Sequence, residues 1–450
     1  MEKHSVFPIN QFPREILAEI FWNCLPGTNS QQMSKMAAPL LVSSICSSWR
    51  ELALATPKLW TTVGIIIGNP DIDPSPATQV INTWLDRSGT LPLNLYLAQL
   101  PLSTSYDIPP MSSTNPTLAQ SILSAFYSHS SRWQDVNLIL YSVRSFFLPG
   151  LDTPLLRSFG LSGPRQEVSH FPFRNSSCLT ELSWPSPLDV SKNSRIPWSQ
   201  ISCLNIPSGM THFFVSEIIH LCPQLEEFLA GCSSLDEVVN LPREPKVENG
   251  RLRKLELSRC KDISPLLHSL TLPALEQFTC YADNDEVVAP IPNLPFESLV
   301  EFLTRSHCKL KTLMLGDWTF SADEFIECLE HEASETIQEL WIAGFPTLTD
   351  DVLLRLTYPP SPTAPRILLP KLVHLTLDYC LCASPGMLGK MVSSRHCPET
   401  GEVEELEVLL LSEHDLDEED ESIIEGLAAD GLGTRISIMS RGINVEAEFL

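Results

Sequence analysis

The chain has 450 residues, of which 43% are hydrophobic and 8% aromatic, a composition that excludes a disordered chain and provides for a sizeable core. Its formal net charge of -25 disfavours nonspecific binding to nucleic acid or an anionic membrane, because phosphate needs basic counter-charge, and modestly favours a basic or neutral partner. The 13 cysteines lack the short regular spacing of a secreted disulfide scaffold, Met1–Ile9 has no apolar signal core, and the apolar run Val63–Gly68 is too short to span a bilayer, so a cytosolic or nuclear location is expected.

Pro13 suits the first position of a helix, and Ile16, Leu17, Ile20, Phe21, Cys24 and Leu25 follow at helical period. A second helix is predicted from Pro39, carrying Leu41, Val42, Ile45 and Cys46, with Trp49, Leu52 and Ala53 extending the stripe to a stop at Thr56-Pro57. Helices this short bury little surface alone, so they must pack on the rest of the chain or on a partner. Periodicity leaves both readings open.

The ordered set Phe12-Pro13-x-Glu15-Ile16-Leu17, Ile20-Phe21, Cys46-x-x-Trp49-Arg50-x-Leu52-Ala53 and Leu59-Trp60 resembles an F-box. Phe12 stands where that family usually has Leu, and Gly27–Ala38 is a polar insertion. This insertion and the Thr56-Pro57-x-Leu59-Trp60 ending resemble the F-box proteins of mushroom-forming fungi. The resemblance implies a small all-α F-box at 9–62, in which Phe12, Pro13, Ile16, Ile20, Val42 and Trp49 help bind a Skp adaptor that leads to cullin and RING subunits.

Residues 63–132 read as a transition region. A helix is predicted at Thr78–Arg87, ending at Gly89, with a strand at Leu91–Leu97 and a Pro/Ser-rich loop at Leu100–Pro116. From 133 to 450 a phrase Leu-x-x-Leu-x-Leu recurs with apolar replacements: Trp133-Val136-Leu138, Leu156-Phe159-Leu161, Leu179-Leu182-Trp184, Ile201-Leu204-Ile206, Leu225-Phe228-Ala230, Leu252-Leu255-Leu257 and Leu275-Phe278-Cys280. It continues at Leu310-Leu313-Leu315, Ile337-Leu340-Ile342, Leu372-Leu375-Leu377 and Val403-Leu406-Val408. The early period of about 22 to 27 residues is that of a leucine-rich repeat, lengthening later to about 27 to 35. Each phrase predicts a short parallel strand with its second and third positions inward, and stacking predicts a curved, solenoidal α/β domain. Leu252-x-x-Leu255-x-Leu257-x-x-Cys260 and Leu372-x-x-Leu375-x-Leu377-x-x-Cys380 resemble cysteine-containing leucine-rich repeats, and Leu348-Thr349-Asp350 with Val352 and Leu353 fits their helix entry. Helical spacing recurs at Thr117–Trp133, Phe213–Cys222 and Ser321–Ala333, the last with a Ser321/Glu324 capping box. A breaker-rich loop is expected at Tyr358–Pro370.

Chemistry-bearing motifs are sparse. Cys380, Cys382, His396 and Cys397 supply four zinc-type ligands, but not at a structural-zinc spacing, and Cys380 has a place in the repeat core. No metal or cofactor is therefore expected. Gly-rich phosphate loops and nucleophile elbows are missing, and His331-Glu332 lacks the second His of a metalloprotease helix, so the chain reads as non-catalytic. A Cys with a distant His is not excluded by sequence. The acidic run Glu413–Glu421 reads as a solvated face or a site for a basic ligand. The repeat register places Asp135, Glu181, Glu227, Glu256, Glu339, Trp341, Glu405 and Glu407 on the outer sheet face, with Lys254 and His374 as basic exceptions. Glu227, Glu256, Glu339, Trp341, Glu405 and Glu407 form the candidate target-binding set, with the acids steering a basic segment and Trp341 as anchor. The expected function is that of a substrate-recognition subunit of a ubiquitin ligase; the alternative is a scaffold built on the same repeats without ubiquitin delivery.

Overall fold

The apolar period of the first sixty residues resolves into three helices: α1 (Arg14–Asn23), α2 (Leu40–Ile45) and α3 (Ser47–Leu54). The predicted second helix is broken at Cys46, whose extended backbone (φ -154°) ends α2 and starts α3. The computed structural model describes residues 9, 12–25, 35–67, 74–99, 116–140, 150–163, 171–188, 193, 195–232, 246–282, 292–358, 367–396, 403–412, 417–429 and 435–439. The chain divides into two compact units, Met1–Pro197 and Trp198–Leu450.

In the first unit the 3-10 turn Pro57–Trp60 ties the helices to the sheet. Trp60 is fully buried, donates its indole N–H to Ala53 O at 2.8 Å, and stacks edge-on with Trp84 at 4.8 Å. The chain continues through β1 (Thr62–Ile67), α4 (Pro74–Arg87), β2 (Leu93–Gln99), α5 (Pro116–Tyr127), β3 (Trp133–Ile139), β4 (Ser158–Ser162) and β5 (Glu181–Ser183). These strands pair in parallel in sequence order, with Val63 opposite Leu95, Leu95 opposite Val136 and Val136 opposite Phe159. The segment expected to be a transition thus supplies the first two strands of the repeat ladder. Val63 and Leu95 stand in register with the phrase residues, and both are buried.

The second unit follows the same logic. It contains β6 (Cys203–Met210), α6 (His212–Leu221), β7 (Glu227–Cys232), β8 (Val247–Glu248), β9 (Lys254–Cys260), α7 (Ser264–Ser269), β10 (Leu270–Thr271) and β11 (Gln277–Ala282). After these come α8 (Phe296–Ser306), β12 (Thr312–Gly316), α9 (Ala322–Glu330), β13 (Glu339–Ala343), α10 (Asp350–Leu356), β14 (His374–Asp378), α11 (Met387–Ser394), β15 (Val408–Ser412), α12 (Glu418–Ala429) and β16 (Arg435–Met439). The main ladder runs β6-β7-β9-β11-β12-β13-β14-β15-β16, all parallel, while β8 and β10 form a small ladder beside it. This is a long parallel sheet in an α/β, leucine-rich-repeat-like architecture. Parallel neighbours need a crossover, which is why most strands here are separated by a helix. The helix α9 has the reciprocal capping box, with Ser321 Oγ and the Glu324 carboxylate each accepting a backbone N–H of the other residue.

The strands β9, β12, β13 and β14 leave the sheet by the same device. Two residues past the last inward position the backbone turns left-handed at Arg259 (φ 57°), Asp317 (φ 63°), Gly344 (φ 113°) and Tyr379 (φ 56°). After three of these turns the next side chain points back inside, and Cys260, Trp318 and Cys380 are all buried. Gly344 is needed for space as well as for φ, since a Cβ there would stand 2.7 Å from Asp317 Cα.

The structure corrects the setting of one phrase. Strand pairing aligns Leu375 with Leu409 and Leu377 with Leu411, so the eleventh phrase is Leu406-Leu409-Leu411 rather than Val403-Leu406-Val408. The run Val408-Leu409-Leu410-Leu411 permits two settings three residues apart, and only the second keeps alternate Leu residues under the sheet. The last strand, β16, carries no complete phrase and is not signalled by the repeat pattern, although Ile436 and Ile438 align with Leu409 and Leu411. The expected loops at 100–116 and 358–370 lie largely outside the described residues.

Candidate functional site

Two surfaces emerge, one in each unit. On α1 the apolar residues divide into two stripes. Leu17 and Phe21 point inward, whereas Phe12, Ile16 and Ile20 are exposed at a spacing of four. Pro13 is also exposed and caps the helix N-terminus without a side-chain hydrogen bond. On α2 and α3 the inner residues are Val42, Leu52 and Ala53, and the outer ones are Leu41 and Ile45. Ile16 is 48% exposed and Ile45 57%, against 5% for Val42. Val42 therefore belongs to the interior of the trio, and Leu41 and Ile45 occupy the outward positions. Trp49 is half-buried, with its ring 4.8 Å from Phe21.

Eight of the thirteen exposed large hydrophobic side chains among the described residues precede residue 55. That concentration is not needed for internal packing, because the inner stripe already closes the trio. The helices are held from beneath by other groups: Lys58 lies 4.1 Å over the Trp22 ring and 3.6 Å from Glu19, and Arg87 covers the Trp60 ring at 4.5 Å. Folding fixes this apolar surface in place without covering it.

The second surface is the outer sheet face of the C-terminal unit. Strand register brings Glu227, Lys254, Gln277, Thr312, Glu339 and His374 to one level. Two residues further along the strands stand Leu229, Glu256, Thr279, Met314, Trp341, Thr376 and Leu410. Glu227, Glu256, Glu339 and Trp341 occupy the predicted outward positions. Glu405 and Glu407 do not, since both precede β15 once its register is corrected, and Glu405 pairs with His396 at 3.4 Å. The face is also less uniformly acidic than expected. Glu256 lies 3.9 Å from Lys254, and Glu339 accepts from Thr312 Oγ1 at 3.1 Å and stands 3.3 Å from His374 Nδ1.

Trp341 is the centre of this face. Its ring meets Tyr281 edge-on with centroids 5.2 Å apart, and its buried indole N–H has no acceptor among the described residues. Gly316 lies between the two strands that carry these rings, and a Cβ there would fall 2.6 Å from Tyr281 Cδ1. Sequence reasoning finds Trp341 but not Tyr281 or Gly316. The available signal is parity, because Tyr281 follows the inward Cys280 and must therefore face out.

Most cysteines of the C-terminal unit are enclosed. Burial pushes the Cys222 and Cys328 thiols up to about 12 and Cys308 up to about 11, the opposite of an activated nucleophile. Cys232 and Cys260 pack with Sγ atoms 3.3 Å apart. Of the zinc-type set, Cys380 is buried, Cys382 is exposed, His396 faces Glu405, and Cys397 lies outside the described residues. No group of three or more His, Cys, Asp or Glu among the described residues is arranged to hold a metal. Arg395 is completely buried and donates to the carbonyls of Leu356, Leu368 and Leu369 at 2.6 to 2.9 Å. The acidic run enters the described structure at residue 417, where Asp417 Oδ1 accepts the N–H groups of Glu419 and Asp420 and starts α12. No described helix is long and apolar enough to cross a membrane.

No family model and no curated protein matches the chain. Among solved structures it is similar to the crystal structure of a TLR13–ssRNA13 complex, at 14% identity and a TM-score of 0.32, over 78% of this chain and 52% of that one. The chain thus spans about half the length of that protein.

Proposed function

We propose that the chain is a substrate receptor of a Skp/cullin/F-box type ubiquitin ligase. In this reading the N-terminal helices bind the Skp adaptor, and the repeat unit captures a target protein. The observation that carries it is the divided face of the N-terminal trio: Leu17, Phe21, Val42, Leu52 and Ala53 serve the interior, while Phe12, Ile16, Ile20, Leu41 and Ile45 remain outside in a segment whose motifs resemble an F-box. An apolar stripe already fixed in position and rimmed by polar residues suits a partner helix. The receptor needs no reactive residue of its own under this reading. Holding a target beside a ubiquitin-charged enzyme supplies the rate through proximity.

The test is a pull-down of the full chain with purified Skp adaptor, alongside an Ile16→Asp/Ile20→Asp double variant whose folding is verified by circular dichroism. Capture by the wild type and loss of at least about a hundredfold in the variant is the expected result, because two charges would enter an apolar interface. A folded wild type that fails to bind the adaptor would remove the ligase reading. Ligase function further predicts that a captured protein accumulates when this chain is removed from cells, whereas a pure scaffold leaves turnover unchanged.

A further inference from the structure

Two neighbouring strands of the C-terminal unit end on cysteines that meet. β7 and β9 pair in parallel from Glu227 and Lys254 to Gly231 and Ser258, and there their mutual ladder stops. Beyond that point each strand is held from its other side: Cys232 pairs with Met210 of β6, and Cys260 with Ala282 of β11. The left-handed turn at Arg259 (φ 57°) brings Cys260 back inside, where its thiol stands 3.3 Å from Cys232 Sγ and 3.6 Å from Ser258 O. Both side chains are buried, Cys260 completely and Cys232 to all but 5%. His212, buried at the first position of α6, completes the group through a hydrogen bond with Cys232. The three are not arranged to hold a metal.

We propose that Cys232 and Cys260 are a redox-responsive dithiol, which hydrogen peroxide closes to a disulfide that staples β7 to β9. Adjacent strands lie about 4.8 Å apart, within the Cα separation that a disulfide spans, and the two sulfurs need to approach by about 1.3 Å. Cys232 reacts first, being the more accessible of the two. Its sulfur attacks one peroxide oxygen, the O–O bond breaks, and the departing hydroxide leaves as water with the thiol proton, giving a sulfenic acid. The Cys260 sulfur then attacks Cys232 Sγ: the S–S bond forms, the S–O bond breaks, and hydroxide takes the Cys260 proton to leave as a second water. The two thiols lose two electrons, and the peroxide gains them. The hydrogen bond with Cys260 and burial hold the Cys232 thiol well above its ordinary pKa, against the opposing influence of His212. The pair is therefore slower to react than an exposed thiol, but a sulfenic acid formed at Cys232 has its resolving sulfur already in contact. The ring closed between residues 232 and 260 contains β8, so the crosslink ties down the excursion by which the chain leaves the main ladder. Closing a ring of this length removes freedom from the unfolded chain. The dithiol is independent of adaptor binding and of the ligase role proposed above.

The full chain is treated with hydrogen peroxide until the exposed Cys24, Cys178 and Cys382 are oxidised, its remaining thiols are alkylated in denaturant, and the digest is read by mass spectrometry. The expected result is a crosslinked peptide pair joining Cys232 to Cys260, formed after those exposed thiols have reacted and lost on reduction with dithiothreitol. Thermal unfolding of the oxidised chain should shift upward by about 5 °C, a shift that dithiothreitol reverses and Cys232→Ala abolishes. Absence of the crosslink once the exposed thiols are oxidised overturns the proposal, as does recovery of Cys232 as a sulfinic acid. A crosslink that leaves the unfolding temperature unchanged overturns the staple. If Cys232→Ala disturbs the fold by circular dichroism, the wild type before and after reduction decides alone.

Discussion

The N-terminal helices and the C-terminal repeats use the same apolar residues to opposite ends. In the repeats the second and third phrase positions are under the sheet, and the outer face mixes charged and hydroxyl side chains with Leu229, Met314, Leu410 and one aromatic pair. In the helical trio the apolar residues exceed what the interior can hold, and half of the stripe on α1 faces outward. Excess apolar surface on a small rigid element marks a place where another molecule completes the packing, whereas a self-satisfied repeat recognises through chemistry displayed on it. The difference predicts where substitutions will affect folding and where they will affect binding.

The largest effect is expected at Trp60, which belongs to both systems of the first unit. Its ring fills the space between α3 and α4, and its indole N–H satisfies the end of α3. Trp60→Ala should cost about 3–5 kcal/mol of stability through the cavity and the lost hydrogen bond. Chemical denaturation followed by tryptophan fluorescence and far-UV circular dichroism measures this; a loss below about 1 kcal/mol would mean that the helices are not anchored through this residue.

A somewhat smaller loss is expected at Arg395 in the repeat unit. The side chain closes the end of α10 and the turn at Leu368 and Leu369 by donating to three neutral backbone carbonyls. Burial lowers its pKa to about 10, which still leaves it charged at neutral pH. Arg395→Ala should leave those carbonyls without donors and destabilise the unit by about 3 kcal/mol, and Arg395→Lys should recover only part of that because an ammonium cannot span all three. Equal denaturation midpoints for the Lys variant and the wild type would contradict the fork-shaped requirement.

Much of the fold is legible in the sequence because burial imposes period. Ten of the eleven phrases fall at the start of the strands they predict, and the helices at 116–127, 212–221 and 322–330 lie where apolar spacing and the Ser321 cap place them. The departures have physical causes. The run Val408-Leu409-Leu410-Leu411 gives alternation no unique phase, and its true register moves Glu405 and Glu407 off the recognition face. The first two strands read as a transition because Trp60 and Val63 complete a repeat while also ending the helical motif. The outward face of α1 can be recognised as apolar, but helical period alone does not decide which half of a wide stripe is inside, and for that reason Val42 reads as an adaptor contact in sequence yet lies within the trio. The contact between Tyr281 and Trp341 depends on Gly316, whose significance is the absence of a side chain on the strand between those that carry the two rings.

A subtler break in the comparison concerns α12, where the repeat unit buries an acid. Asp420 is almost fully buried and accepts from Gly389 N at 2.7 Å. Burial raises its pKa from 3.8 to about 6, with the neighbouring Asp417 adding to the rise. A proton therefore binds the folded chain more tightly than the unfolded one. Stability should increase as pH falls through about 6 and level off near 3.8 as the unfolded carboxyl is also protonated, apart from other titrations. Asp420→Asn should flatten this segment of the profile and stabilise the unit at pH 7 by about 1–2 kcal/mol. Hydrogen exchange of α12 between pH 7 and 5, corrected for intrinsic rates, reads the effect locally; equal slopes for wild type and variant would assign the dependence to another group.

The smallest stability effect should come from the substitutions that test the proposed adaptor contact. Ile16 and Ile20 are exposed, and residue 16 lies in the first turn of α1, where an added carboxylate is favoured by the helix dipole. Ile16→Asp/Ile20→Asp should therefore change the denaturation free energy by no more than about 1 kcal/mol, mainly through helix propensity at residue 20. Leu17→Asp, one residue away but on the inner stripe, should cost several kcal/mol by burying a charge without a partner. If the paired experiment gives similar losses at the outer and inner positions, the outer stripe is part of the fold and cannot be a surface held ready for a partner. A wide gap between them would show that the chain maintains those apolar residues for something other than its own stability.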